Sequence, residues 1–586
     1  MLITSAISKV KRNLGWAACF VVGAVQAQML ELEIQPQWND QGLKAAPAQK
    51  QTTPTVQRLD FLLSRLALQH ADGSWLESAD WFAFYSLEKG RLKAKTEGLP
   101  AGQFKAIRFE VGVPEAQDLA DPHLLPADHP LNPEVCGLHW GWQGGYVCMA
   151  LEGRWLRGDG ELGGFSYHLA KATNSVKVEI PVEFQGGGPV TLQLTLDVAQ
   201  ILKGIDFSKD GSSTHSREGD PLLPRLRSNL ARAFHLQSVR YDLYQTVTKS
   251  GTDKASLAPT SEGYPLAVTS RFPQVTLPAD NPLTLQGVAL GEKLFHDRRL
   301  SINSSQSCAS CHSRGAAFSD PRQFSTGAEG QIGKRHAMPL FNLAWEQSFF
   351  WDGRAKSLRE QVLAPIQDPH EMNETLERVV LKIADAKEDF AAAFGSTEIT
   401  PERIAKALEQ YLLTLVSQES RFDRTVRKVA QMTEEEKRGL QLFVTEFDPA
   451  RGLRGADCFH CHGGTLFTDH QFKNNGLDLV PADLGRMKVT GDPADQGKFK
   501  TPSLRNIAVT PPYMHDGRFA TLEEVVEHYS SGVKRSETLD PNLAKHPDTG
   551  LQLTAEEKRA LVAFLKTLTD EEFITEPAKA KIARRP

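Results

Sequence analysis

Two thiols three positions apart, with an imidazole directly after them, occur twice in this 586-residue chain: at Cys308-Ala309-Ser310-Cys311-His312 and at Cys458-Phe459-His460-Cys461-His462. Each thiol of such a pair can add across a vinyl group of haem, and the histidine that follows can reach the iron. The spacing therefore points to two covalently held c-type haems with His312 and His462 as axial ligands. Zinc or redox Cys-x-x-Cys sites are the alternative, and they leave both following histidines without a role.

A second set of reactive residues lies in the N-terminal half. The run Cys136-Gly-Leu-His139-Trp140-Gly-Trp142-Gln-Gly-Gly-Tyr146-Val-Cys148 crowds two tryptophans and a histidine between two cysteines. Strand alternation puts Trp140 and Trp142 on one face, where the plain reading is a pair of core aromatics. His168 points away from the face shared by Phe165, Tyr167 and Leu169, and His215 stands in the polar stretch Thr214-His215-Ser216. Each alone reads as a surface histidine.

The chain is too long for one core, and its pattern changes along its length. Residues 28–237 alternate as strands, for example Val176, Val178, Ile180, Val182 and Phe184, then, after the turn Gly186-Gly187-Gly188-Pro189, Val190, Leu192, Leu194, Leu196 and Val198. This predicts an all-β, sandwich-like domain. Residues 238–280 are rich in Ser, Thr and Pro and read as a connector. Beyond them the pattern is helical, with capping-box spacing at Ser357/Glu360, Thr433/Glu436, Thr521/Glu524 and Thr554/Glu557. Gly291-Glu-Lys-Leu294-Phe295 precedes Cys308 as Gly439-Leu-Gln-Leu442-Phe443 precedes Cys458. This repeat divides the helical part into two mainly α-helical cytochrome c-type haem domains, 281–430 and 431–586.

Residues 1–27 carry Lys9, Lys11 and Arg12, the apolar run Leu14 to Val25 and the small-residue site Val25-Gln26-Ala27, the pattern of a cleaved secretory signal. The run is short for a membrane span, and Cys19 is poorly placed for lipidation because a long apolar stretch follows it. A periplasmic protein with no membrane segment after cleavage is expected. With Cys19 removed and four cysteines on haem, Cys136 and Cys148 remain, and in an oxidising compartment they are expected to form a disulfide. A net charge of -5 with scattered basic residues leaves no footprint for nucleic acid.

The runs HWGWQGGYVCMALEG, FSYHLA and THSREGDP resemble the MbnP-like copper proteins over roughly residues 30 to 237. The resemblance implies oxidation of a tryptophan, Trp140 or Trp142, to kynurenine, and copper bound with the help of His168, His215 or His139; imidazole suits copper. The chain departs from that family's four-cysteine pattern.

From about 270 to 575 the chain resembles the dihaem cytochrome c peroxidase and MauG family, through FFWDGRAKSLREQVLAPIQDPHEM, the YMHDG turn and TLEEVVEHYSSG. The resemblance implies that Trp351 lies between the haems and that Gln361, Pro365 and Glu371 form the pocket over the peroxide-reactive first haem. Glu371 would shuttle the peroxide proton. Tyr529 stands fourteen residues after His515, where the MauG-like branch places a tyrosine ligand to the second, electron-transfer haem and ordinary peroxidases place methionine. A phenolate stabilises oxidised iron. A core tyrosine, with Met514 or His515 as ligand, is the alternative. A calcium ion on the carbonyls of Thr510 and Pro512 is also implied, with His336 where the family has an asparagine.

These readings give one leading expectation: an exported enzyme that uses hydrogen peroxide to oxidise a tryptophan of its own fused copper-binding domain. One alternative is a peroxidase that reduces peroxide with electrons from a small redox protein. Another is a non-enzymatic copper-binding electron-transfer protein.

Overall fold

The computed structural model describes residues 29–44, 53–141, 144–241 and 262–575. The expected leader and Trp142 fall outside them. Alternation becomes two facing sheets in the N-terminal half. One runs Phe234–Tyr241, Val190–Asp197, Met29–Trp38 and Gln41–Gly42, with Lys93–Glu97 also on Met29–Trp38. The other runs Ser213–Thr214, Leu162–Ala170, Val147–Leu156, Thr55–His70, Gly102–Val111 and Val176–Gly186, with Trp75–Ser86 also on Thr55–His70. Val176–Gly186 alternates strictly between buried and exposed positions. The turn after it carries the chain from one sheet to the other, so the two apolar runs it joins lie in opposite sheets. Leu32 and Ile34 of one sheet share a core with Phe61, Ile107 and Phe109 of the other. Strand Phe234–Tyr241 pairs with Val190–Asp197, which carries the β unit past the boundary expected at 237. Tyr264, Leu266 and Leu277, expected in the connector, pack on the first helical core.

In the helical part, Leu285–Phe295 lies on Pro401–Leu413, and Glu434–Phe443 lies on Ala555–Lys566. The glycines of the sequence repeat sit at these two crossings. A Cβ on Gly291 would lie 2.0 Å from the carbonyl oxygen of Ala407, and one on Gly439 would lie 1.9 Å from that of Ala560. Thr433/Glu436, Thr521/Glu524 and Thr554/Glu557 form reciprocal capping boxes. Ser357 caps its helix, but Glu360 turns to the backbone N–H of Lys356. No helix among the described residues is long and apolar enough to cross a membrane.

The β unit is docked on the second haem region. Strand Leu162–Ala170 is buried along its whole length. Helix Pro541–Ala544 lies so close to it that a Cβ on Gly164 would be 2.1 Å from the carbonyl oxygen of Pro541. Buried Arg154 ties this contact, donating to Leu162 O at 3.1 Å on its own side and to Leu539 O at 3.0 Å across it.

Candidate functional site

A cavity of about 1040 Å³ opens beside Cys308, Cys311 and His312. Trp351, Gln361, Pro365 and Glu371 all stand in its wall. Helix Leu358–Gln367 presents Gln361 and Pro365 one turn apart, and Glu371 follows in a tight turn whose N–H donates to Asp368 O at 3.0 Å. His312 Nδ1 lies 2.8 Å from Phe318 O, a donation that leaves the lone pair on Nε2, as an axial ligand requires. A pair of thiols, an imidazole in the ligand tautomer and a large cavity together fit a covalent haem. Burial, helped by the charge of Asp368, raises the Glu371 carboxyl to about 7, so it can hold or release a proton near neutrality. Trp351 donates its indole N–H to His336 O at 2.9 Å.

Around the second motif, His462 Nδ1 lies 3.2 Å from Phe467 O, repeating the His312 arrangement. Helix Leu522–Glu527 does not continue regularly to Tyr529; it widens into a π turn, His528–Gly532. Tyr529 lies within this π turn. The side-chain amide of Asn475 reaches both Tyr529 Oη, at 3.4 Å, and Met514 Sδ, at 3.3 Å. His515 stacks on Phe499 with ring centroids 3.7 Å apart. Thr510 is buried. The His336 side chain carries no oxygen, and its Nε2 lies 2.7 Å from Asp320 O, which leaves the carbonyls of Thr510 and Pro512 as the candidate holders of calcium.

A third cluster lies where the β unit meets the second haem region. His168 comes from strand Leu162–Ala170, His215 follows strand Ser213–Thr214, and His460 lies between the cysteines of the second motif. One ring nitrogen from each lies within 4.8 Å of the others. His168 and His215 are buried rather than at the surface, because the haem region covers the outer face of their sheet. Burial pushes His168 down to about 4, despite Glu152 at 2.9 Å. Trp140 is 7% exposed and stands against both rings, its centroid 6.4 Å from that of His168 and 5.8 Å from that of His215. It shares a small cavity of about 60 Å³ with Phe459 and His460.

His139 stays out of the cluster, its ring set edge-on to Tyr146 at 4.8 Å, and burial lowers it to about 4. The expected disulfide is not formed: Cys136 and Cys148 are buried free thiols, each pushed up to about 12 by burial. They belong to different apolar clusters. Cys136 Sγ accepts from Leu138 N at 3.4 Å, and Cys148 Sγ faces Lys171 O at 3.5 Å. Sequence reasoning missed His460, which reads as filler between the two thiols; it also missed Glu152, which lies inside the run HWGWQGGYVCMALEG but was given no role, and Glu446, which lies in no motif.

Family comparison matches residues 285–431 to di-haem cytochrome c peroxidase and residues 27–216 to MbnP. The methylamine utilization protein MauG of Methylophilus methylotrophus is 37% identical over 300 residues, covering 50% of this chain and 85% of the relative. Cytochrome c551 peroxidase of Nitrosomonas europaea is 35% identical over 291 residues, covering 48% of this chain and 80% of the relative. A solved MauG-like protein described as associated with microbial copper homeostasis is 36% identical, with a TM-score of 0.49 and coverage of 54% of this chain and 98% of that one.

Proposed function

The chain belongs to the di-haem cytochrome c peroxidase and MauG family and carries an MbnP domain ahead of its haem region, and from that premise we propose that it uses hydrogen peroxide to oxidise Trp140 of its own N-terminal domain to kynurenine. The observation that carries this reading is that Trp140 lines one small cavity together with Phe459 and His460 of the haem-attachment segment. Target and oxidant are then held together by the fold, without diffusion.

Cys308, Cys311 and His312 would hold one haem, and Cys458, Cys461, His462 and Tyr529 the other. When bound, the haems supply the redox chemistry of peroxide reduction and store its oxidising equivalents. Gln361 donates to the bound peroxide, and Pro365 offers the pocket no competing ligand. Glu371 takes the proton from the near oxygen and returns it to the far one, which leaves as water. Trp351, fixed by its bond to His336 O, would couple the two haems. The balance is closed by two molecules of peroxide. Together they deliver two oxygen atoms to the indole, opening it to N-formylkynurenine with release of two waters, and hydrolysis then expels formate. The protein is exported to the periplasm on this reading, binds calcium at Thr510 and Pro512, and its product domain binds copper beside His168 and His215.

Similarity to cytochrome c551 peroxidase favours a second reading, peroxide reduction fed by a small redox protein. The family membership leaves no place for a non-enzymatic relay. Peptide mass spectrometry on the haem-loaded protein, before and after peroxide, separates the two enzymes. The proposal requires the mass change of kynurenine on the peptide carrying Trp140. An unchanged peptide with steady peroxide consumption would establish the scavenger instead.

A further inference from the structure

We infer that His460 closes a three-imidazole site for cuprous copper with His168 and His215, so that the site is complete only where the two halves of the chain are docked. This rests on the copper part of the proposed function and not on the tryptophan chemistry. His168, His215 and His460 are 4%, 8% and 8% exposed, and one nitrogen of each lies within 4.8 Å of the others. His168 Nδ1 and His215 Nε2 are buried with no hydrogen-bond partner among the described residues. Their opposite nitrogens are both held by carboxylates: His168 Nε2 by Glu152 at 2.9 Å and His215 Nδ1 by Glu446 at 2.8 Å. Carboxylate-bound imidazoles with their other nitrogen unpaired are the usual arrangement behind a metal ligand.

The carboxylates are themselves fixed. Glu152 accepts from Arg58 at 2.9 Å and from Asn542, across the seam, at 2.9 Å. Glu446 belongs to the haem region and so orients a histidine of the other domain. Lys545 donates to His460 Nε2 at 3.1 Å while paired with Glu446 at 3.2 Å and Asp457 at 3.3 Å. An entering metal ion takes over that contact with the imidazole, and the lysine keeps its two carboxylates. Oxygens of Glu446 and Asp457 also lie within 4.8 Å of a His460 nitrogen, but Lys545 pairs with both carboxylates; the three nitrogen donors suit copper or zinc, and the site needs no modified tryptophan to be complete.

The test is titration of the full haem-loaded chain with cuprous ion against a chromophoric chelator, with X-ray absorption at the copper edge. One equivalent bound by three imidazoles is expected, and His460→Ala should weaken binding by at least about tenfold. Wild-type affinity in His460→Ala, or only two imidazoles around copper in the unaltered protein, overturns the inference. Trp140→Phe should keep the three-imidazole signature. If that variant loses copper while His460→Ala retains it, the inference fails and the tryptophan-based reading stands. If copper sits on three imidazoles in protein whose Trp140 has not changed mass after peroxide, the inference holds and only the tryptophan oxidation fails. Zinc taken up to the exclusion of copper overturns the choice of metal.

Discussion

Trp140 and His215 lie with their ring centroids 5.8 Å apart and their planes inclined by 33°, in the seam between the β unit and the second haem region. A residue so placed stands against a candidate metal ligand and lines one cavity with the segment that would carry haem. Chemistry at the indole is therefore felt by both.

Trp140→Phe should abolish the kynurenine mass change after peroxide, read by peptide mass spectrometry. A modified Trp142 in that variant would transfer the assignment to the neighbouring tryptophan.

Glu371 should govern the reaction with peroxide. Its carboxyl sits at about 7 through burial, so the proton-accepting form grows as pH rises through that value. The rate of peroxide reaction should climb across the same interval. Glu371→Gln should lower the rate by about a hundredfold or more and flatten the climb, as stopped-flow spectra would show.

Asn475 reaches both Tyr529 and Met514, and substitutions separate their roles. Tyr529→Met should raise the potential of one haem by at least about 100 mV, since axial ligands tune haem potentials over a wide range. Met514→Leu should leave it in place. The reverse result in a redox titration would make Met514 the ligand.

His470 ties three parts of the chain, meeting Glu134 at 2.6 Å and Glu346 at 3.4 Å. Burial alone would lower it, but Glu346 and Glu134 hold it at about 10. Its unfolded value is near 6.5, so the stability it contributes is fully present below that pH and is lost as pH rises through about 10. Melting temperature should fall over this interval. His470→Gln should remove most of the fall and cost about 3 kcal/mol at neutral pH.

Gly439→Ala drives a methyl group into the carbonyl of Ala560 and should destabilise the second haem region by about 3 kcal/mol. Denaturant unfolding followed by haem absorbance would measure it, and an unchanged midpoint would contradict the backbone contact described above.

Much of this was legible because it is local. Two thiols and a histidine in consecutive register, strict alternation through Val176–Gly186, and threonine-to-glutamate caps are short-range patterns whose physics does not depend on distant parts of the chain. The repeat glycines were visible as a motif, but their reason, a helix crossing, was not. The histidine cluster was only half legible. His168 and His215 read as surface residues because nothing near them in sequence shows that a helix more than 300 residues later lies over their sheet. His460 was hidden inside a motif that explained its neighbours. The π turn that holds Tyr529 was not legible, because such a turn leaves no simple mark in hydrophobic periodicity.

Gly164 has no space for even a methyl group where helix Pro541–Ala544 crosses its strand. Main chain rests on main chain there, and a target domain seated so tightly cannot be exchanged for a fresh copy. On the proposed function each chain therefore undergoes its oxidation once. Peroxide used by this route scales with the amount of protein and stops when the population is converted. The haem half would then serve as a maturation device that remains attached to its finished product.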